Sequence, residues 1–163
     1  MIFTALLILS IVLIFVFSKK NISQRASETD GGLVTLQDLP NLVDALKTSG
    51  KNGSFFVLLI PGTAEDDGYD ANLQFSIDNN EVGIDWVLIA KSNIKMKDNF
   101  MEISTNAGLS CKSNSGNNVV FLRATGNKDL ARIGQDIIHK MFPDKIESKM
   151  KLIITGMKWD KIK

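Results

Sequence analysis

A cluster of acidic side chains is the clearest candidate for chemistry in this sequence. Glu65, Asp66, Asp67 and Asp70 surround a Gly-Tyr pair between two apolar segments. Carboxylate oxygens are the ligands that Ca²⁺ prefers in proteins, but the spacing departs from that of an EF-hand loop. We therefore interpret the cluster as a solvated connection and as part of an interaction surface, and we assign no metal ligand. A metal-dependent or hydrolytic enzyme that uses residues 65–70 is the alternative.

The single histidine and the single cysteine argue against the common forms of nucleophilic catalysis. Ser–His and Cys–His mechanisms need a base beside the nucleophile, and His139 is the one histidine of the chain. We place His139 near the C-terminal end of a predicted helix, where the helix dipole favours a positive charge. Cys111 is predicted to pack as a small hydrophobe. The sequence has no phosphate-binding loop, dinucleotide fingerprint or zinc-protease motif. We therefore predict no enzymatic activity, no catalytic residue and no cofactor.

Charge is distributed unevenly along the chain. Residues 55–90 contain seven acids and no Lys or Arg, whereas residues 91–163 contain 14 basic and seven acidic residues. The two halves either neutralise each other or offer charged surfaces to a partner. The basic end, with Lys158, Trp159 and Lys161, joins the acidic cluster in the predicted interaction surface. Because a single aromatic residue accompanies these lysines, nucleic acid is not the favoured partner.

An apolar, uncharged segment opens the sequence. Residues 2–17 read IFTALLILSIVLIFVF, and every charged residue follows Ser18. At about 1.5 Å per residue, this segment approaches the roughly 30 Å hydrocarbon core of a bilayer. We therefore predict a transmembrane anchor over residues 1–18 and membrane contact through residues 2–18. Lys19 and Lys20 follow the anchor, which predicts a single pass in the cell (inner) membrane with a cytoplasmic domain. An exported, envelope-facing domain is the alternative.

The rest of the chain divides into a tether and a folded domain. Residues 19–34 are polar and lack periodicity, which predicts a flexible tether, and residues 35–163 form the predicted soluble domain. Apolar spacing and turn residues predict helices near 36–49, 96–107 and 130–141, and strands near 55–60, 73–77, 82–90, 109–112 and 119–124. Residues 150–157 are either a last strand or a packed tail. The predicted fold class is α+β, a twisted antiparallel sheet of about five strands in the order α-βββ-α-ββ-α.

This order of elements resembles the type III secretion chaperone-like fold and the related YbjN-like proteins. The resemblance covers residues 36–142 and lies in the segments FFVLLI, LQFSI and VVFLRA, the last of them before a final helix. It implies a small protein-binding module, often a homodimer, without catalytic residues. The apolar N-terminal segment and the residues after Pro143 are not part of that pattern. We therefore expect a membrane-anchored, non-enzymatic module that binds another protein, or a second copy of itself, near the membrane surface.

Overall fold

The computed structural model describes residues 29–61, 71–116 and 119–159 as one sheet with helices packed against it. The strands are β1 (Thr29–Val34), β2 (Phe55–Ile60), β3 (Ala71–Asp78), β4 (Glu81–Val87), β5 (Ser110–Gly116), β6 (Val119–Thr125) and β7 (Met150–Thr155). The helices are α1 (Leu39–Ser49), α2 (Lys91–Lys95), α3 (Lys97–Asn106) and α4 (Leu130–Met141), with 3₁₀ turns at Leu36–Asp38 and Pro143–Lys145. All seven strands pair antiparallel, in the order β1-β7-β2-β3-β4-β6-β5.

The alternation of side chains along the strands gives the sheet two different faces. In β2, Phe56, Leu58 and Ile60 belong to the main core together with apolar residues of α1, α3 and α4. Phe55, Val57 and Leu59 point to the opposite side, because successive strand residues face opposite ways. We call the side that packs against the helices the first face and the other side the second face. Both sets of β2 side chains are buried, so the uninterrupted apolar run FFVLLI is a strand with two covered faces.

Helix α4 is the most regularly amphipathic element and covers the middle of the first face. Its apolar residues follow the helical spacing and are all buried, which confirms the helix predicted from that spacing. Gly134 lies against the sheet, where an added Cβ would come 2.6 Å from the ring of Phe75. Asp129 caps the N-terminus of the helix, since its carboxylate accepts a hydrogen bond from the backbone N–H of Arg132 at 3.1 Å.

The strand count and the element order differ from those predicted. Residues 29–34, assigned to the flexible tether, form β1 along the edge of β7, and residues 150–155 form β7 between β1 and β2. The segment TDGGLV has little strand propensity of its own, so its pairing with β7 decides its conformation. The helix predicted near 96–107 is preceded by a separate short helix, α2. The fold is α+β, but the predicted order α-βββ-α-ββ-α with about five strands is wrong.

The predicted fold class also included one membrane-spanning helix, and the structure corrects this part of the prediction. The predicted anchor, residues 1–18, lies outside the described residues. Among residues 29–61, 71–116 and 119–159, the structure contains no helix with both the length and the apolar character that crossing a bilayer requires. The longest of these helices, α4, has 12 residues and one polar face.

The turn between β3 and β4 is a two-residue hairpin loop. Asp78 pairs with Glu81, so two asparagines form the whole loop. Asn79 and Asn80 have φ angles of 53° and 62°, the left-handed conformations that a type I′ turn requires at both central positions. Asparagine adopts these angles at lower cost than other residues with a side chain. The backbone N–H of Asn80 also donates to Oδ1 of Asn52 at 2.7 Å, which joins the hairpin to the loop before β2.

We expect Asn80→Ala to lower the free energy of unfolding by about 1 kcal/mol, because alanine adopts the left-handed conformation poorly. For a domain of this size, the melting temperature should fall by about 2–4 °C, measurable by circular dichroism. Asn80→Gly is the matched control, since it also removes the side chain but keeps the backbone bond to Asn52 and tolerates the positive φ angle. Equal losses in the two variants would contradict a backbone origin.

Candidate functional site

An apolar cluster and a polar cluster lie side by side on the second face. The apolar cluster consists of Phe55, Val57 and Leu59 of β2 with Ile153 of β7, and each is at most 8% exposed. Of the described helices, none contributes a residue to this cluster. The polar cluster occupies the next strands, β3, β4 and β6. The second face therefore changes from apolar to charged in the direction of β5.

The polar cluster is built around a buried ion pair. Asp85 is fully buried, and both of its carboxylate oxygens accept hydrogen bonds from Nη1 of Arg123, at 2.8 and 3.0 Å. The hydroxyl of Ser76 donates to the same carboxylate, and Gln74 donates to it through Nε2 at 3.4 Å. Nη2 of Arg123 donates to the carbonyl of Glu81 at 2.9 Å. Both charges are thus paired and hydrogen-bonded, as buried charges must be.

Strand register brings these distant residues together. Gln74 pairs with Asp85 across β3 and β4, and Asp85 pairs with Arg123 across β4 and β6. The Cβ atoms of directly opposed residues on one face lie about 5 Å apart, so their side chains are close enough to form hydrogen bonds. Gly83 makes room for the guanidinium group, since a Cβ there would lie 2.7 Å from Cζ of Arg123. A larger residue at position 83 would displace the Arg123 side chain.

Burial decides the protonation chemistry of this cluster. Removal of the carboxylate from water raises the pKa of Asp85 above its ordinary value of 3.8. The positive charge of Arg123 acts in the opposite direction, followed by the hydrogen bonds from Ser76, Arg123 and Gln74. The ion pair therefore offsets a large cost of burial. Its members are fully engaged with each other, which suits a structural role better than a catalytic one.

The row of charges continues onto β5, the strand at the edge of the sheet. Lys112 pairs with Arg123 across β5 and β6, so Asp85, Arg123 and Lys112 occupy consecutive positions on the second face. Lys112 is exposed, and no carboxylate of the described residues forms an ion pair with it. The charge of Arg123 is balanced by Asp85 at 2.8 Å. Among the described residues, the row therefore ends at the sheet edge in a cation without an acidic partner.

The edge formed by β5 is regular and open. All seven of its residues pair in register with β6, from Ser110 with Thr125 to Gly116 with Val119. Within the described part of the chain, nothing pairs with its outer side. Gly108, with φ of 81°, lets the chain turn out of α3 and enter this strand. β5 thus presents unpaired backbone donors and acceptors along its length.

The opposite edge is built differently. The register of β1 shifts between Asp30 and Gly32, which marks a bulge. Gly32 has a φ angle of 79°, and its N–H donates to Oδ1 of Asp30 at 2.8 Å. A β-bulge is a common way for an edge strand to prevent further strand pairing. The two edges are therefore not equivalent.

The predicted interaction surface lies only partly within the described residues. Glu65, Asp66, Asp67, Asp70 and Lys161 lie outside the described residues, so that part of the surface stays a prediction. Lys158 is exposed, and its backbone N–H donates to Oγ of Ser49 at 2.9 Å. Trp159 is half-buried and packs against the main core instead of extending into solvent.

The remaining candidates for chemistry within the described residues are a metal site, the single histidine and the single cysteine. In residues 29–61, 71–116 and 119–159, no three His, Cys, Asp or Glu side chains are grouped as metal ligands would be. His139 and Thr35 both line a surface cavity of about 390 Å³. The hydroxyl of Thr35 donates a hydrogen bond to the carboxylate of Asp38. Burial raises the pKa of the Cys111 thiol, which makes its reactive thiolate form scarcer.

Asp85 and Arg123 are the site residues that the sequence-based prediction missed. Both carry a signal in the sequence, because each is a charged residue inside an otherwise apolar strand segment, GIDWV and VVFLRA. A charge in a buried strand needs a partner of opposite sign. What the sequence does not give is the strand order that places β4 beside β6.

We expect the loss of unfolding free energy caused by Arg123→Met to increase with pH. Without Arg123, burial raises the pKa of Asp85 further, so the folded variant holds a proton that the unfolded chain has lost above its ordinary pKa of 3.8. A proton bound only in the folded state makes stability fall as pH rises. The loss of unfolding free energy should reach about 3–5 kcal/mol near neutral pH, as for other broken buried pairs. Urea unfolding at several values between about pH 5 and pH 8 measures it.

The double variant Asp85→Leu/Arg123→Met is the control. It removes both charges, so its stability relative to the unmodified chain should lack the steep pH dependence of Arg123→Met. The loss of unfolding free energy caused by Arg123→Met is expected to vary across this pH range. A constant loss would show that Asp85 is not left as a buried charge.

The chain was compared with family models, curated proteins and solved structures. No family model, curated protein or solved structure matches the chain. The resemblance to type III secretion chaperones and YbjN-like proteins accordingly stays a prediction.

Proposed function

We propose that this protein is a non-enzymatic protein-binding module that adds an extended segment of its partner to the edge of β5. The observation that carries the proposal is the regular, exposed and unpaired outer side of this strand in the described part of the sheet. Addition of a strand to a sheet edge is a recurring mode of peptide recognition. Main-chain hydrogen bonds supply the affinity, and side chains at alternate positions supply the specificity.

The edge is held in place by the rest of the fold. β5 is bonded along its whole length to β6, and β6 places Leu122 and Ala124 in the main core. On the other face, the ion pair of Arg123 with Asp85 connects β6 to β4. A binding edge supported in this way loses little conformational freedom when a partner strand pairs with it, which favours affinity.

The composition of β5 also suits a transient partner better than a permanent one. Its sequence, SCKSNSG, has no large apolar side chain, and most of its residues are exposed. An edge strand of this kind is soluble while unoccupied, whereas a flat apolar edge would aggregate. The Lys112 side chain adds to this protection, because edge lysines discourage unspecific pairing.

We expect the full chain to bind an extended seven-residue peptide of alternating Thr and Val that has Gln at its fifth position, opposite Lys112 when the peptide pairs antiparallel with Ser110–Gly116. Hydrogen exchange or amide chemical shifts should report the binding in β5, since new hydrogen bonds protect the outward N–H groups of this strand. The effect should be confined to β5 and its neighbour β6, and β1 should not change.

The matched control is the same peptide with N-methyl groups on alternate residues along one edge. Methylation removes the donors that strand addition requires and leaves the side chains unchanged. Protection of β5 that persists with the edge-methylated peptides, tested for both edges, would contradict strand addition. No protection of β5 by the unmethylated peptide would contradict it as well.

A further inference from the structure

The unbalanced charge of Lys112 gives the β5 edge a preference among partner segments. We infer that this edge selects an extended segment carrying an acidic residue directly opposite Lys112. The inference rests on the proposed function, because a residue can lie opposite Lys112 only when a strand pairs with β5. It goes further by naming the chemistry of the partner at one position.

The preference follows from the row of charges on the second face. Asp85 and Nη1 of Arg123 are joined by contacts of 2.8 and 3.0 Å, and Nη2 of Arg123 is bonded to the backbone carbonyl of Glu81. Arg123 is therefore already satisfied on the side of β4. Lys112 is the next residue in the row and, among the described residues, has no acidic partner. The position after Lys112 belongs to the incoming strand, where a carboxylate would lie beside a cation.

The neighbours of Lys112 on β5 sharpen this preference. On the same face, its neighbours two residues away are Ser110 and Asn114, and both are uncharged. The alternate residues Cys111, Ser113 and Ser115 are small. Discrimination by charge is thus concentrated at one position, while the small residues leave room for larger side chains on the partner strand.

A second copy of β5 does not fit this description. The strand contains no acidic residue, so two β5 strands paired with each other would leave Lys112 opposite Lys112 or an uncharged residue. Like charges placed directly opposite each other in a sheet are destabilising. The charge pattern therefore favours a different chain, one with an acidic residue in an extended segment.

Three versions of the Thr/Val peptide, with Glu, Gln or Lys at the fifth position opposite Lys112, test the inference on the full chain. We expect the Glu peptide to bind about two- to fivefold more tightly than the Gln peptide, and the Lys peptide to bind more weakly than either. The difference should shrink as salt is added, because the pair is exposed. Lys112→Glu should reverse the order, and Lys140→Glu, an exposed charge change on α4, should leave it unchanged.

The outcomes separate this inference from the proposed function. Equal binding of the three peptides, with β5 protected in each case, would overturn the preference for an acidic residue and leave strand addition in place. Binding of none of them would overturn both. Sedimentation of the free chain provides one more test, since a dimer that Lys112→Glu abolishes would identify a second copy as the occupant and contradict the inference.

Discussion

The pairing of Asp85 with Arg123 is the interaction on which the two faces of the sheet depend. Side chains alternate along a strand, so a shift of β6 by one residue would move Arg123 to the first face and Leu122 to the second. The guanidinium group would then lie among the apolar side chains of the main core, without the carboxylate that balances it. The ion pair therefore specifies the register of β4 and β6. The position of Lys112 on the edge follows from that register, because β5 pairs in turn with β6.

A second fixed point lies beside Asp85 on the opposite face of β4, where Trp86 meets the short helix α2. The indole N–H of Trp86 donates to the carbonyl of Asn93 at 2.8 Å, and the amide of Asn93 bonds to both backbone groups of Asn72. The Trp86 ring also stacks on Phe100 of α3, with ring centroids 5.5 Å apart. Buried polar groups with complete hydrogen bonding favour one arrangement over others. This network accounts for the separate turn of helix before α3, which apolar spacing alone did not predict.

Apolar periodicity was sufficient where an element buries a continuous face of its own. The strand FFVLLI, the alternating strand LQFSI and helix α4 were all predictable on this basis. Periodicity was insufficient for β1, because a segment with two adjacent glycines becomes a strand only through its neighbour β7. The candidate site was hidden for a related reason. Asp85, Arg123 and Lys112 belong to three strands, and their alignment depends on pairing between distant segments.

The place of β7 within the sheet has a consequence for how the protein is made. This strand lies between β1 and β2, although about 90 residues separate it from β2 in the sequence. During synthesis, β1 and β2 leave the ribosome long before the strand that joins them, since translation adds about 5–20 residues per second. Until Met150–Thr155 has emerged, β1 has no strand to pair with, and the apolar side chains of β2 lack their neighbour Ile153. Completion of the sheet is therefore a late event, and the nascent chain exposes an apolar strand edge for several seconds, the condition under which chaperones bind.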